Sequence, residues 1–461
     1  MPNEHETKRV DLGPQPNGRG LWGGLNFSIP APANVPASVE STATRSGLRY
    51  VTLYLRLKRY IQEHLTAETR VRLHCLYLNM RYFTAKFYLA TFKRSFYNTI
   101  TQPFDIAFCL DDEGWSLVKP VASHIISHHS DLKIVFLARA TKNKLPADFD
   151  WTNQTVFCGV ALHMRKLFCA KLVYAPFLEL SRAWKSKNSM LIHAIHSMNS
   201  LDATFPDHYF DDCDYIMCAG PHHLQSFKSW SSRRKRLLGK RLIKAGYPKL
   251  DGMLARNAAR QKPSHSPERL TVVYAPTHAY EANESLASLR AHGYQIVQTL
   301  LASGFHVIFR PHPASLISKD RVHVDRICDS QVGNPNFSLD TAKDYFGSYA
   351  AADLMVTDLS GTGFTFSLGF SRPCIFFVAN QQAERGFSGI QFEERHRIGT
   401  VVRDTDQLAE SLQELREESM SGKIEIFRSE ILFNVGRSAD YISGYIASIA
   451  RQANNLEWIE L

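Results

Sequence analysis

From about residue 101 onward the chain alternates short apolar runs with stretches of helical spacing, and this pattern restricts its fold most. FDIAFCL, LKIVFLA, TVFCGV, KLVYAP, SMLIHAI, DYIMCAG and RLIKAGY are rich in Val, Ile, Leu, Phe and Tyr and read as buried strands. Helical or mixed segments separate them, the order expected of parallel strands in βα units. The chain then turns polar with two prolines near LARNAARQKPSHSPE, which reads as a linker. The pattern restarts at TVVYAPT and runs through ESLASLRAHGYQIVQTLLASG, HVIFRPHP, a helix around DYFGSYAAA, DLMVTD, a Ser-Gly-Thr-Gly turn and RPCIFFV. The fold class is therefore α/β, with two parallel-sheet domains facing a central cleft, a plan suited to holding an activated donor against an acceptor.

A length of 461 residues agrees with two folded domains, since one core rarely serves so long a chain. The boundaries expected are 101–255 for the first domain, 256–268 for the linker, 269–445 for the second domain and 446–461 for a terminal tail or helix. Residues 1–47 are rich in Pro, Gly, Ser, Ala and Asn and are expected to be mostly disordered.

Residues 48–100 form a distinct basic segment of helical spacing. Leu76, Met80, Phe83 and Phe87 recur at steps of four, three and four and so share one face. Between Arg49 and Tyr97 ten Lys/Arg stand against two acids, and a second run, Lys228 to Arg241, holds seven Lys/Arg and no acid. Within a net charge of +10 this clustering argues for acidic partners at particular places. Two readings of the 48–100 segment stand side by side: an amphipathic layer on an anionic membrane, or a helical layer packed on the first domain. No motif that reads nucleic acid accompanies the basic residues, so nucleic acid is not an expected partner.

Eight scattered cysteines without a C-x-x-C pair suit neither a zinc site nor a disulfide framework and point to a reduced, cytosolic chain. The polar amino terminus has no apolar core of a signal peptide, and no apolar stretch reaches spanning length. A soluble protein, or one peripheral at the cytoplasmic face of the inner membrane, is expected. His124, His128, His129, His222 and His223 lack matched carboxylate or cysteine partners at ligand spacing, so no metal is expected. Asp111-Asp112-Glu113-Gly114, after FDIAFCL, reads as a solvated turn.

Three segments carry chemistry. In LMVTDLSGTGF a buried strand ends at Asp358, and a small-residue turn opens the next helix. There the N–H groups and the hydroxyls of Ser360 and Thr362, with Gly361 between them, suit a phosphate. An ordinary capped βα turn has the same composition. Arg310-Pro311-His312-Pro313 follows the strand VIF, and its prolines restrict Arg310 and His312 to directions from which both can donate to a diphosphate. HAIHSMNS follows MLI, and of its histidines His196 has the local polar partners Ser197, Asn199 and Ser200. An imidazole there can take a proton from an attacking hydroxyl, or be a satisfied structural histidine.

VVYAPTH, IFRPHP and AADLMVTDLSGTGFTF…SRPCIFF, in this order, resemble the carboxyl-terminal domain of the CDP-glycerol glycerophosphotransferases of teichoic acid and capsule synthesis. That family's pattern is a strand with APT, then RPHP, then T-D-x-S-S, F-D-F and K-P-x-I-F. HAIHSMNS occupies the place of its W-H-G element, and AGYPKLD matches its G-Y-P-R-x-D. The resemblance covers roughly residues 100–400 and implies a GT-B-like fold of two Rossmann-like domains, a metal-independent mechanism without a cofactor, and membrane attachment through basic helical elements. It makes His196 the general base and His312 a second catalytic residue. It places Arg310, His312, Asp358, Ser360, Gly361, Thr362 and Thr277 on the donor side. The implied partners are a nucleotide-activated donor and a glycan or lipid-linked acceptor.

The pattern departs at three places: W-H-G reads Ile195-His196-Ser197, the second Ser of T-D-x-S-S is Gly361, and the Asp of F-D-F is Thr365. These leave CDP-ribitol, another CDP-alcohol or a nucleotide sugar open as donor. A glycosyltransferase using a UDP- or CMP-sugar, a UDP-sugar 2-epimerase and a non-catalytic partner in polysaccharide assembly remain as alternatives.

Overall fold

The structure is a computed structural model describing residues 9–11, 67–111, 114–141, 144–179, 181–201, 205, 209–233, 237–260, 269–279, 284–384, 389–417, 420–453 and 456–460. Most of the amino-terminal tail, residues 48–66 and most of the linker lie outside them. The chain separates into two compact units. One comprises Met1–Asp112, Leu132–Tyr174 and Leu178–Leu191; the other comprises Glu113–Asp131, Ala175–Phe177 and Ile192–Leu461.

In the first unit, strands β1 (Arg9–Asp11), β2 (Phe104–Leu110), β3 (Ile134–Ala138), β4 (Val156–Cys158) and β5 (Ala170–Ala175) run parallel in the order β1-β4-β3-β2-β5. Strand β1 comes from the segment whose composition suggests disorder. Phe108 stacks on Phe136 at 5.5 Å and meets Tyr174 edge-on at 5.5 Å, so aromatic packing fills the middle of this sheet. Asp111, just past β2, is no solvated turn residue. It is 7% exposed and accepts from Arg165 Nη2 at 2.7 Å, with the guanidinium 5.1 Å from the Trp184 ring. A buried carboxylate needs such a partner, and Arg165 lies 54 residues away, beyond the reach of local pattern.

The helix Ala67–Phe92 belongs to the same unit. It packs through Cys75 and Leu78 against Ala183, while Leu89 is buried farther along. Leu76, Met80, Phe83 and Phe87, the residues that share one face by spacing, are 58% to 70% exposed. The helix thus packs through a neighbouring stripe on the short segments Leu162–Leu167 and Ser181–Trp184 and leaves the face of Leu76, Met80, Phe83 and Phe87 open.

The second unit contains β6 (Met190–Ala194) from Ile192 onward, β7 (Tyr215–Cys218) and β8 (Arg241–Lys244), which are parallel. Strand β15 (Ile459–Glu460) joins β8 antiparallel. It also contains a six-stranded parallel sheet, β9 (Thr271–Tyr274), β10 (His306–Phe309), β11 (Phe337–Leu339), β12 (Leu354–Thr357), β13 (Cys374–Phe377) and β14 (Gly399–Val402), in the order β11-β10-β9-β12-β13-β14. Val272, Tyr274, Val307, Phe309 and Val356 anchor its core. The helix Pro248–Ala258, leaving β8, packs on the helix Thr362–Phe370 that leaves β12. All eight cysteines are free thiols, and no described helix is long and apolar enough to cross a membrane.

Candidate active site

Strand β9 lies between β10 and β12, so the loops APTH, RPHP and TDLSGTG leave three adjacent strands at one edge of the sheet. The chain order reverses between β9 and β12, the place where open parallel sheets gather ligands. Asp358, 2% exposed, ties two of these loops together. Its carboxylate accepts from the backbone N–H of Thr277 at 3.0 Å and of Ser288 at 2.8 Å, and from both hydroxyls. Its charge is thus consumed within the protein, and the Thr277 hydroxyl with it. Both residues shape the loop after β9.

The Arg310 side chain is mostly buried, 11% exposed. Its Nη1 pairs with Asp340 Oδ2 at 2.5 Å and its Nη2 donates to the Ala342 carbonyl at 2.7 Å. The Ala314 N–H donates to His312 Nδ1 at 3.1 Å, so in the neutral ring the proton sits on Nε2, which can donate. Burial, then His278 and Arg310, pushes the His312 pKa down to about 4, so the ring is neutral at neutral pH. His278 stacks on it with centroids 5.7 Å apart, and its own Nδ1 lies 2.9 Å from Ser315 Oγ.

The turn after β12 opens the helix Thr362–Phe370. The Thr362 N–H donates to Ser360 Oγ at 3.2 Å, and Thr362 Oγ1 meets the Tyr349 hydroxyl. Thr365, where the family pattern has an aspartate, returns its hydroxyl to the Gly361 carbonyl at 3.1 Å. The amino end of the helix Thr362–Phe370 brings the positive end of its dipole to this turn.

The loop after β6 meets the same turn. His193, still within β6, is fully buried in a cage of Phe205, Tyr209 and Phe210, and its Nδ1 bonds the Ala175 carbonyl at 3.1 Å. His196, past the strand end, is half-buried between Phe177 and Phe205. Its Nδ1 lies 3.1 Å from the Pro176 carbonyl, which can only accept. Nδ1 therefore carries the proton, and Nε2 is a lone pair ready to take one. The pKa is lowered to about 4 by burial and by Lys249, against the opposing bond to Pro176.

Ser197 and Asn199 stand beside Gly361: a side-chain carbon there would fall 2.6 Å from Asn199 Oδ1 and 3.3 Å from Ser197 Oγ. Farther along, Ser200 N–H donates to Gln391 Oε1, and Ile390 N–H returns a bond to Ser200 Oγ, both at 2.9 Å. Gly389 makes that approach possible at φ +110°, with Ser200 Oγ 1.9 Å from where a Cβ would be.

His196, His312, Arg310 and the Ser360–Thr362 turn all belong to the second unit. Sequence reasoning missed the struts. Tyr247, from the AGYPKLD segment, donates its hydroxyl to the His196 carbonyl at 2.9 Å. His223 takes the Ala219 N–H on Nδ1 at 3.2 Å, which leaves Nε2 to donate to the Asn199 carbonyl at 3.3 Å. The available signal was that AGYPKLD and GPHH each follow a strand directly. Among the described residues no group of three His, Cys, Asp or Glu is placed to hold a metal ion.

The family model described as CDP-Glycerol:Poly(glycerophosphate) glycerophosphotransferase matches residues 122–448. The wall teichoic acid polymerase TagF is similar in structure, with TM-score 0.57 and 16% identity, covering 82% of this chain and 99% of that one. A variant of TagF soaked with CDPG gives TM-score 0.54 at 16% identity, covering 81% and 98%. A putative UDP-N-acetylglucosamine 2-epimerase from Listeria monocytogenes gives 0.51 at 12%, covering 78% and 100%. A search of curated proteins gave no match. The fold is the GT-B-like α/β plan with two sheets of parallel strands.

Proposed function

Because the chain belongs to the CDP-glycerol:poly(glycerophosphate) glycerophosphotransferase family, we propose that it transfers glycerol phosphate from CDP-glycerol to a hydroxyl of a cell-surface glycan or lipid-linked acceptor, without a resident cofactor. The observation that carries this reading is the meeting of a base-ready imidazole loop and a phosphate-suited helix start, with Ser197 and Asn199 against Gly361.

The acceptor oxygen attacks the glycerol-bearing phosphorus, its proton passes to His196 Nε2, and the bond from phosphorus to the CMP oxygen breaks with its electron pair. CMP leaves with that charge. His312 Nε2–H, Arg310 and the amino end of the helix Thr362–Phe370 stabilise the charge that develops on the diphosphate. His196 then returns its proton to solvent.

The exposed stripe Leu76, Met80, Phe83 and Phe87, on a segment with a large excess of Lys and Arg, suits an anionic bilayer surface.

The deciding experiment is turnover of purified protein with CDP-glycerol, CDP-ribitol, UDP-sugars and CMP-sugars in the presence of a glycerol phosphate-primed acceptor. CMP release with CDP-glycerol alone supports the reading. Turnover confined to a nucleotide sugar transfers the site to glycosyl transfer, and consumption of a UDP-sugar without acceptor makes it an epimerase.

A further inference from the structure

In the first unit the amino ends of β2 and β5 lie side by side, with the Phe104 N–H donating to the Cys169 carbonyl at 2.8 Å. A cleft of about 240 Å³ opens there, walled by the helix Ala67–Phe92, the segment Leu162–Leu167 and the chain from Ser186 to Ser189. Parallel α/β sheets take their substrates at the carboxyl ends of the strands, so this is not the substrate edge of the unit. The cleft is smaller than the roughly 300–1,000 Å³ of a drug-sized site and suits a small polar group.

The lining is basic. Lys86, Lys166 and Lys171 contribute to it, and no Asp or Glu among the described residues does. Lys171 pairs with Asp105 Oδ1 at 2.8 Å, so its charge is already answered. The Lys166 ammonium lies 2.8 Å from Asn79 Oδ1 and 5.7 Å from the centre of the Tyr82 ring, two contacts that hold it in place. Lys86 follows Tyr82 by one helical turn on the same face and has no ion pair among the described residues. Tyr82 and Tyr97 also line the cleft, and their hydroxyls make no hydrogen bond among the described residues. Two ammonium groups and two phenols, with no carboxylate between them, match an anion that carries several charged oxygens.

We propose that this cleft binds a phosphate ester, held by Lys86 and Lys166 with the tyrosine hydroxyls as further donors. Phe83 and Phe87 follow Tyr82 and Lys86 by one residue each, about 100° round the helix, and are 66% and 70% exposed. A phosphate in the cleft therefore has open apolar surface beside it, on which an attached acyl chain can lie. A lipid headgroup and a free phosphate ester share the chemistry of the cleft, and the apolar neighbour distinguishes them.

Cys169 lines the same cleft and is the one exposed thiol of the eight, so its alkylation reports occupancy. The test measures the rate of Cys169 labelling by N-ethylmaleimide in the full chain. The probes are inorganic phosphate, glycerol 3-phosphate, monomeric dihexanoyl phosphatidylglycerol and dihexanoyl phosphatidylcholine, with sodium chloride at matched ionic strength. Phosphate, glycerol 3-phosphate and the phosphatidylglycerol should each slow labelling at least about fivefold at saturation, and chloride should not. Lys86→Gln and Lys166→Gln should each raise the half-protecting concentration about tenfold, the loss of one charge-assisted hydrogen bond. Protection is read as a ratio within each variant, because a neighbouring lysine also alters the reactivity of the thiol.

Phosphatidylglycerol that protects at a tenfold lower concentration than glycerol 3-phosphate supports the site with a lipid as its ligand. Equal midpoints support it with a free phosphate ester. Absence of protection by every phosphate overturns the proposal, and so does chloride or phosphatidylcholine protecting as well as phosphatidylglycerol. The wild-type protein alone decides those outcomes, even where a variant fails to fold. Folded variants that keep wild-type midpoints also overturn it. No turnover enters the readout, so the site stands or falls apart from the identity of the donor.

Discussion

The Nδ1 of His196 donates to the carbonyl of Pro176 across 3.1 Å, and this one bond fixes which ring nitrogen is free. A carbonyl has no proton to give, so the tautomer follows from geometry. The free nitrogen, Nε2, is the one the proposed chemistry needs.

Replacing His196 with Ala should therefore lower kcat at least about a hundredfold, as loss of a general base does. The Kd for CDP should stay within about threefold of wild type, because no diphosphate contact is assigned to the imidazole. Rapid-quench measurement of CMP release with parallel calorimetry separates the two. Unchanged kcat in the purified variant would remove His196 from the mechanism.

Lys249 offers a graded test of the same group. The His196 pKa is lowered first by burial and also by the Lys249 ammonium, so the imidazole is neutral at neutral pH and takes a proton only near pH 4. Activity that needs the neutral ring should fall as pH drops through that value. Lys249→Met removes a positive neighbour, which raises the His196 pKa and moves the acid limb of the kcat/KM profile to higher pH. The difference should be largest at low salt. An acid limb that does not move would mean that another group sets it.

Several buried histidines make the fold itself acid-sensitive. Burial lowers His193 to about 3 and His222 and His312 to about 4, all below the ordinary value of 6.5. The unfolded chain then binds protons before the folded one. Stability contributed by these groups is whole above pH 6.5 and is lost as pH falls toward 4, at about 1.4 kcal/mol per pH unit for each group. Urea midpoints measured from pH 8 to 4.5 should be level at first and then drop, and the drop should shrink in His222→Gln if that variant folds. A midpoint that rises toward acid would contradict the burial of these rings.

The strands were legible in the sequence because they are buried on both faces: FDIAFCL became β2 and DLMVTD became β12, with their motifs at the carboxyl ends as expected. Strand β11 was not legible. It is an edge strand whose residues are half-exposed or exposed, so Phe337-Ser338-Leu339 forms no apolar run. The segment ESLASLRAHGYQIVQTLLASG has helical spacing, but it forms two helices, Ser288–Ala291 and Gly293–Ala302, broken at His292, where a Cβ on Gly293 would lie 3.3 Å from the Tyr274 hydroxyl. At the site, His196 and the turn after Asp358 carried local signals of strand end and small residues. The pairing of Asn199 with Gly361 did not, since residues 162 positions apart meet only through tertiary packing.

The exposed stripe on helix Ala67–Phe92 carries the last prediction. Cys75 and Leu78 already attach this helix to its unit, so Met80, Phe83 and Phe87 can be changed without opening a core. Burying a Phe or Met in a bilayer interface gains about 1.5–3 kcal/mol each, so three such residues together make a large share of the binding energy of a peripheral helix. Met80→Ser, Phe83→Ser and Phe87→Ser combined should reduce sedimentation with phosphatidylglycerol vesicles at least about thirtyfold in partition coefficient. The melting temperature and turnover with a water-soluble acceptor should stay near wild type. Neutral vesicles should bind wild type more weakly than anionic ones, and added salt should close that gap. Equal sedimentation of the triple variant and wild type would overturn the membrane role of this stripe.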